Sequence, residues 1–173
     1  FPSSGAAPLV CDMSSDMFWR PFDPRPFGLI YAGAQKNLGP AGVTLVIVRD
    51  DLLQRTRTDV ATMLSYRTHV DKDSLYNTPP TFAIYMVRNV LVWVKEQGGL
   101  PAVEKTNRAK GDLLYGVMAD NPDFYKCPVA DDSRSYMNVV FRLPTEDLEQ
   151  RFVAEAKAAG MIGIKGHRSV GGM

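Results

Sequence analysis

A chain of 173 residues is long enough for one domain or for part of a larger one, and 45% hydrophobic with 23% charged residues is an ordinary globular composition. A net charge of +1 gives no electrostatic case for nucleic acid or an anionic membrane surface as partner. The two cysteines, Cys11 and Cys127, form no CxxC or metal spacing, and with two histidines they do not supply a structural zinc motif.

That cysteine usage makes a reduced, cytoplasmic setting the default reading, and the apolar run 82–94 is interrupted by Arg88 and Asn89 and is too short to span a bilayer. The chain opens at Phe1 and closes on Gly-Gly-Met173 after a glycine-rich turn. It reads as an internal piece of a longer polypeptide.

In chain order, Pro8-Leu-Val-Cys-Asp12 predicts a short buried strand ending in an acid, followed by Ser14 and Ser15 as turn or capping residues. Pro21, Pro24 and Pro26 make the next stretch extended and irregular. Two further strands, 28–31 and 43–48, bracket a run of small residues around Lys36. The second is β-branched with little alternation, as for a strand covered on both faces.

Asp50 and Asp51 open a short helix through Leu53. The segment 55–81, with Arg67 and His69, is polar and turn-rich, and a loop of that length is functional or interfacial. Residues 82–95 are apolar on nearly every side and predict a buried helix.

Gly98-Gly99 then breaks the chain. Pro101 suits the first turn of a helix running to about Ala119, with Val103, Leu113, Leu114, Val117 and Met118 as its core face and Gly111 and Gly116 weakening it. Residues 137–143 predict a strand. Thr145 caps a helix with Glu146 and Asp147 in its first turn, a buried stripe of Leu148, Phe152, Val153 and Ala156, and Gly160 at its end. A short strand, 161–164, leads into Lys165-Gly-His-Arg168. The first part is therefore α/β and the part after Gly98-Gly99 a small α+β unit, with domains expected at 1–97 and 98–173.

Asp12 and Lys36 form the sharpest chemical pair. Both fall near the C-terminal ends of predicted strands, where open α/β sheets place ligands. A lysine on a turn lined by small residues has room for a flat group beside it, as imine formation with pyridoxal phosphate requires. A carboxylate against the pyridine nitrogen keeps that ring protonated and electron-accepting. Taken singly, each residue has a plainer use, Lys36 as a strand-end lysine reaching solvent and Asp12 as a turn former.

Four motifs in order change that balance: Asp12-Met-Ser-Ser15, Tyr31-Ala-Gly-Ala-Gln-Lys-Asn-Leu-Gly-Pro-Ala-Gly42, Ser74-Leu-Tyr-Asn-Thr-Pro-Pro-Thr-Phe-Ala-Ile-Tyr85 and Gly166-His-Arg-Ser-Val-Gly-Gly-Met173. Together they resemble the phosphoserine aminotransferases, class-V pyridoxal-phosphate enzymes of the aspartate-aminotransferase fold (fold type I), over essentially the whole chain. The resemblance implies part of a large cofactor-binding α/β domain at 1–97 and most of a small C-terminal domain at 98–173.

The resemblance further implies that Lys36 is the imine-forming and catalytic lysine and Asp12 the acid on the pyridine nitrogen. Gln35 would lie near the cofactor phosphate. Asn77 and Thr78 would reach the cofactor phosphate of the other subunit of a homodimer with shared sites. His167 and Arg168 would bind the phosphate of phosphoserine or the side-chain carboxylate of glutamate, Arg offering a fork that matches phosphate oxygens. The reaction implied interconverts 3-phosphohydroxypyruvate plus glutamate and phosphoserine plus 2-oxoglutarate, in serine biosynthesis.

On the same resemblance, the ring-stacking aromatic and the phosphate-gripping loop would precede Phe1, and the arginine for the substrate α-carboxylate would follow Met173. Three alternatives share parts of this logic: an alanine–glyoxylate-type aminotransferase, a cysteine desulfurase, and a non-catalytic fragment. A desulfurase needs a reactive cysteine on a mobile loop, and neither Cys11, inside a strand, nor Cys127, before a proline, suits that use.

Overall fold

The computed structural model describes residues 5–167 and 172–173. The chain divides into two compact units, Phe1–Glu104 and Lys105–Met173.

The first unit is built on a three-stranded sheet in the order β1 (Leu9–Asp12), β2 (Phe27–Gly33), β3 (Thr44–Val48). Strands β1 and β2 are parallel, with Asp12 opposite Tyr31, and β2 and β3 are antiparallel, with Gly33 opposite Thr44. A parallel pair needs a crossover of a dozen or so residues, usually a helix. Here residues 13–26 serve without one, bending through the three prolines and burying Met13, Met17 and Trp19. The core gathers these methionines with Phe27, Ile30, Ala32, Ala34 and Leu38.

This topology brings the C-terminal ends of β1 and β2 to one edge of the sheet, which is where Asp12 and the turn carrying Lys36 both sit. Strand β3 departs from the expectation of two covered faces. Among the described residues it pairs with β2 on one side only, and Thr44 and Ile47 are exposed.

The short helix α1 (Asp50–Gln54) forms as its two leading acids predict. The segment expected as a loop carries a 3₁₀ turn at Thr62–Leu64 and the helix α2 (Tyr66–Val70). Long polar side chains organise it: Arg67 Nη2 donates to the Leu53 carbonyl at 2.5 Å and Thr68 Oγ1 to the Thr62 carbonyl at 2.8 Å. Such bonds to main-chain carbonyls leave no hydrophobic periodicity, so the sequence pattern did not announce these turns.

Helix α3 (Thr81–Glu96) begins after Pro79-Pro80 as expected, but it is not buried all round. Ala83 is buried, and Met86, Val87, Val90 and Val94 on the same side are half-buried. Phe82, Tyr85 and Trp93, on the other sides, are exposed. The covered side meets the turn that carries Lys36. A Cβ on Gly39 would lie 3.2 Å from Val87 Cγ2, and one on Gly42 would lie 3.6 Å from Ala83 Cβ.

Helix α4 (Gly99–Asp120) follows two glycines with positive φ, Gly98 at 95° and Gly99 at 76°, a region that favours glycine. Its buried positions in the second unit are Asn107, Gly111 and Met118, whereas the expected Leu113, Leu114 and Val117 are exposed. Gly111 explains the difference. A Cβ there would lie 2.5 Å from Tyr136 Cδ1, so the glycine lets the tyrosine ring pack against the helix backbone. Arg108 lies over the same ring at 4.8 Å, and Tyr115 meets it edge-on at 6.4 Å.

The second unit closes on edge-to-face aromatics, with Phe141 5.3 Å from Tyr125 and 5.7 Å from Phe152. Helix α5 (Glu146–Ala158) has the expected cap, Thr145 Oγ1 accepting from Leu148 N–H at 3.3 Å, and the expected end, Gly160 at φ 85°. Residues 137–143 do not form the regular strand expected. Their ladder contacts are isolated, Lys126 with Arg142 and a reciprocal pair between Phe141 and Met173. Residues 161–164 likewise form no strand. Their apolar side chains suited a strand, but Met161 and Ile162 are exposed and Gly163 takes φ 77°.

Candidate functional site

Asp12 is the last residue of β1, and its side chain is exposed. Its Oδ1 accepts two hydrogen bonds from Ser14, at 2.9 Å from the main-chain N–H and 2.6 Å from the hydroxyl. This is the turn geometry an aspartate forms with the residue two positions on. These two bonds are the main reason the carboxyl is held below its ordinary value of 3.8, and Lys36's positive charge and the Tyr31 hydroxyl add to the effect. Asp12 is therefore an anion across the neutral range, and it is open to a cationic group.

Ser14 is itself buried, and its oxygen accepts from Gly33 N–H at 2.9 Å. One hydroxyl thus joins the end of β1 to the end of β2. The next link is main-chain to main-chain, Met13 N–H donating to the Tyr31 carbonyl at 2.8 Å.

Lys36 lies three positions beyond the end of β2, on the turn into β3. Ala34 and Leu38 on either side are buried, at 0% and 1% exposure, while Gln35 and Lys36 are exposed. The apolar neighbours pin the turn and force the amine outward. Two main-chain bonds close it, Gly39 N–H to the Ala34 carbonyl at 2.7 Å and Ala34 N–H to the Val43 carbonyl at 2.9 Å. Asn37 Nδ2 ties it to the crossover, donating to the Met17 carbonyl at 2.6 Å. Gln35 folds back along Gly33, where a Cβ would overlap the Gln35 amide.

Asn77 and Thr78 are exposed in the segment leading to α3, where Asn77 Nδ2 donates to the Thr78 carbonyl at 3.2 Å. The start of α3 meets the Gly39–Gly42 half of the lysine turn, since Pro80 Cβ would lie 3.9 Å from a Cβ on Gly42. The structure thus gathers Asp12, Gln35 and Lys36 at one sheet edge, and docks the helix that follows Asn77 and Thr78 against the same turn. His167, in the second unit, is exposed. Arg168 lies outside the described residues.

Sequence reasoning gave Ser14 only a turn role and passed over Asn37. An Asp-x-Ser spacing signals the first, since a serine two residues on can bond the aspartate with both its donors. The second carries no signal, because its partner is a main-chain carbonyl twenty positions away.

The donor set fits the cofactor that the resemblance implies. An exposed carboxylate held ionised by two serine donors suits a protonated ring nitrogen, and an exposed amine on a rigid turn suits an aldehyde. Cys11, half-buried in β1, is the opposite of an activated thiol: burial raises its pKa, and the charges of Asp16 and Asp12 raise it further. Among the described residues no cluster of His, Cys, Asp and Glu suits a metal ion, and no helix is long and apolar enough to cross a membrane.

Comparison with known proteins places the chain in a family. The phosphoserine aminotransferase of Lysinibacillus sphaericus (strain C3-41) is 56% identical over 172 residues, which cover 99% of this chain and 48% of that protein. A solved phosphoserine aminotransferase from Bacillus circulans subsp. alkalophilus is 54% identical and matches with a TM-score of 0.93, over 100% of this chain and 48% of that one. The PLP-bound phosphoserine aminotransferase from Trichomonas vaginalis is 37% identical with a TM-score of 0.91, over 100% and 49% respectively.

The chain therefore spans about half the length of the curated relatives it matches. Its mixed α/β fold is the aspartate-aminotransferase-like one expected from the motifs. The aminotransferase class-V profile matches residues 3–171, nearly end to end, and the chain belongs to the class-V aminotransferase family.

Proposed function

We propose that the full-length protein is a pyridoxal-phosphate-dependent phosphoserine aminotransferase that interconverts 3-phosphohydroxypyruvate plus glutamate and phosphoserine plus 2-oxoglutarate. The observation that carries this reading is the pairing of Asp12, held ionised by Ser14, with the exposed Lys36 on the adjoining turn of the same sheet edge. The 56% identity to the Lysinibacillus sphaericus enzyme supports the choice of substrate.

When bound, the cofactor supplies an aldehyde for imine formation and a ring that accepts electrons from the substrate's α-carbon. Asp12, an anion at the end of β1, would hold the ring nitrogen by charge and favour a proton on it. With the cofactor bound, Lys36 Nζ would hold its aldehyde end and would also be the amine placed to move the proton at the substrate's α-carbon. The rigid turn, closed by Ala34 and Leu38 beneath it, keeps that amine in place between the two uses. Gln35 steadies the cofactor phosphate. His167 and Arg168 take the anionic end of either substrate, phosphate or carboxylate, and the guanidinium's paired donors fit both.

Residues 1–97 belong to the large cofactor-binding domain, and residues 98–173 to the small C-terminal domain. The enzyme works as a homodimer in which Asn77 and Thr78 reach the cofactor phosphate of the other subunit. A reducing, cytoplasmic compartment suits the free thiols of Cys11 and Cys127.

The test is a transamination assay of the full-length protein with phosphoserine and 2-oxoglutarate, beside alanine as amino donor. Glutamate formation from phosphoserine, abolished in Lys36→Ala and with a strongly raised KM in Arg168→Ala, is the expected result. Turnover of alanine in preference to phosphoserine, or unchanged kinetics in Arg168→Ala, would overturn the substrate assignment.

A further inference from the structure

We infer that Ser14 is the positioning residue of the Asp12 carboxylate, and that its single hydroxyl sets the spacing between that carboxylate and the lysine turn. The inference rests on the cofactor reading above, and it gives Ser14 a part beyond keeping Asp12 ionised, that of fixing the carboxylate against the lysine turn.

Bond polarity supports it first. A serine hydroxyl has one proton to donate and two lone pairs. Gly33 N–H, at 2.9 Å, can only donate and so occupies a lone pair. Asp12 Oδ1, at 2.6 Å, is ionised and can only accept, so the hydroxyl proton must point to it. The relay runs one way, from Gly33 N–H through Ser14 O–H to Asp12. The short second bond is the length expected of a hydroxyl on a carboxylate.

Connectivity supports it next. Gly33 ends β2, and Lys36 follows on the turn it begins. Asp12 ends β1. Sliding or twisting of one strand end against the other would break one of the two bonds of a residue that is only 9% exposed, where water has little room to replace it. The carboxylate and the lysine turn therefore move together.

Orientation supports it last. Both Ser14 donors converge on Oδ1. Two bonds on one oxygen hold the carboxylate from rotating freely and fix the direction in which it faces out from the strand end. The other charged or titratable groups acting on Asp12 are Lys36 and Tyr31. Both remain when Ser14 is changed.

The test uses the full-length protein with Ser14→Ala, Ser14→Thr and Ser14→Cys. Two readouts are taken, the titration of the Asp12 carboxyl carbon by NMR without cofactor, and the Kd for pyridoxal phosphate by equilibrium dialysis. Ser14→Ala is expected to move the Asp12 midpoint upward, toward the ordinary carboxylate range, and to weaken cofactor binding about tenfold or more, as loss of a hydrogen bond to a charged group does. Ser14→Thr keeps the hydroxyl and is expected to restore both readouts. Ser14→Cys has a weaker donor and is expected to fall between, and it serves if the alanine variant does not fold.

An Asp12 midpoint and a Kd unchanged in Ser14→Ala or Ser14→Cys would overturn the inference. So would a threonine variant that behaves like the alanine one. A parent protein that binds no pyridoxal phosphate, while Asp12 titrates as expected in all variants, would instead overturn the cofactor reading and with it the role of Ser14 toward that ligand.

Discussion

The side-chain amide of Asn37 donates to the main-chain carbonyl of Met17 at 2.6 Å, so the residue next to Lys36 is fastened to the crossover that leaves Asp12. Met17 is fully buried, and its carbonyl has little access to water if that partner is lost. Asn37→Ala is expected to destabilise the protein by about 1–3 kcal/mol, the cost of an unpaired buried acceptor. Asn37→Asp should do no better, since a carboxylate cannot donate. Urea denaturation of both variants checks this, and wild-type stability in either would show that the bond does not hold the turn.

Gly111 and Gly116 lie on the same helix and should respond in opposite senses. A Cβ at Gly111 would lie 2.5 Å from Tyr136 Cδ1, whereas nothing lies within 4 Å of one at Gly116. Gly111→Ala is expected to cost about 1–3 kcal/mol by overpacking. Gly116→Ala is expected to stabilise by up to about 1 kcal/mol through helix propensity. Melting curves of the two variants decide it, and two shifts of the same sign would contradict the packing described.

Thr145 caps α5 through its oxygen on Leu148 N–H. Thr145→Ala is expected to cost about 1 kcal/mol, and Thr145→Ser or Thr145→Asp almost nothing. Equal losses in all three would mean that the threonine is valued for packing and not for its oxygen.

The pH dependence of stability carries the mark of Asp12. Its carboxyl pKa is lower in the folded protein than the ordinary 3.8, chiefly through Ser14's hydrogen bonds. The unfolded chain therefore binds the proton more readily. The stabilisation is present in full above about the ordinary value and is lost as pH falls through the folded one. Asp12 is exposed, so solvent screens the contribution and it is modest. Asp12→Asn is expected to flatten the fall in stability between neutral and acidic pH, as followed by denaturation at a series of pH values. An unchanged acid slope would show that other carboxyls govern it.

What was legible in the sequence follows from which interactions leave a pattern. The β-branched runs and the proline cluster placed the strands around Lys36, and the Thr145 and Gly160 signals placed both ends of α5. The acid and the lysine stood out because each sits at or just beyond the place where a strand stops. Side-chain type alone did not show which face of α4 is buried. A glycine under an aromatic ring reversed the expectation drawn from Leu113, Leu114 and Val117. The breadth of apolar sequence in α3 overstated its burial for the same reason, since pattern records what a face can bury and not what covers it. The bonds that tie the site together run from Ser14 to Gly33 and from Asn37 to Met17, nineteen and twenty residues apart, and no local spacing encodes them.

The central claim is that Lys36 is the residue that carries the cofactor. The direct measurement is the visible absorption spectrum of the full-length protein mixed with pyridoxal phosphate, reduced with borohydride and mapped by mass spectrometry, beside Lys36→Ala. The account predicts a long-wavelength band in the parent that phosphoserine discharges, a cofactor mass fixed on the Lys36 peptide, and neither in the variant. An equal band in both proteins, or the cofactor mass on another lysine, would contradict it.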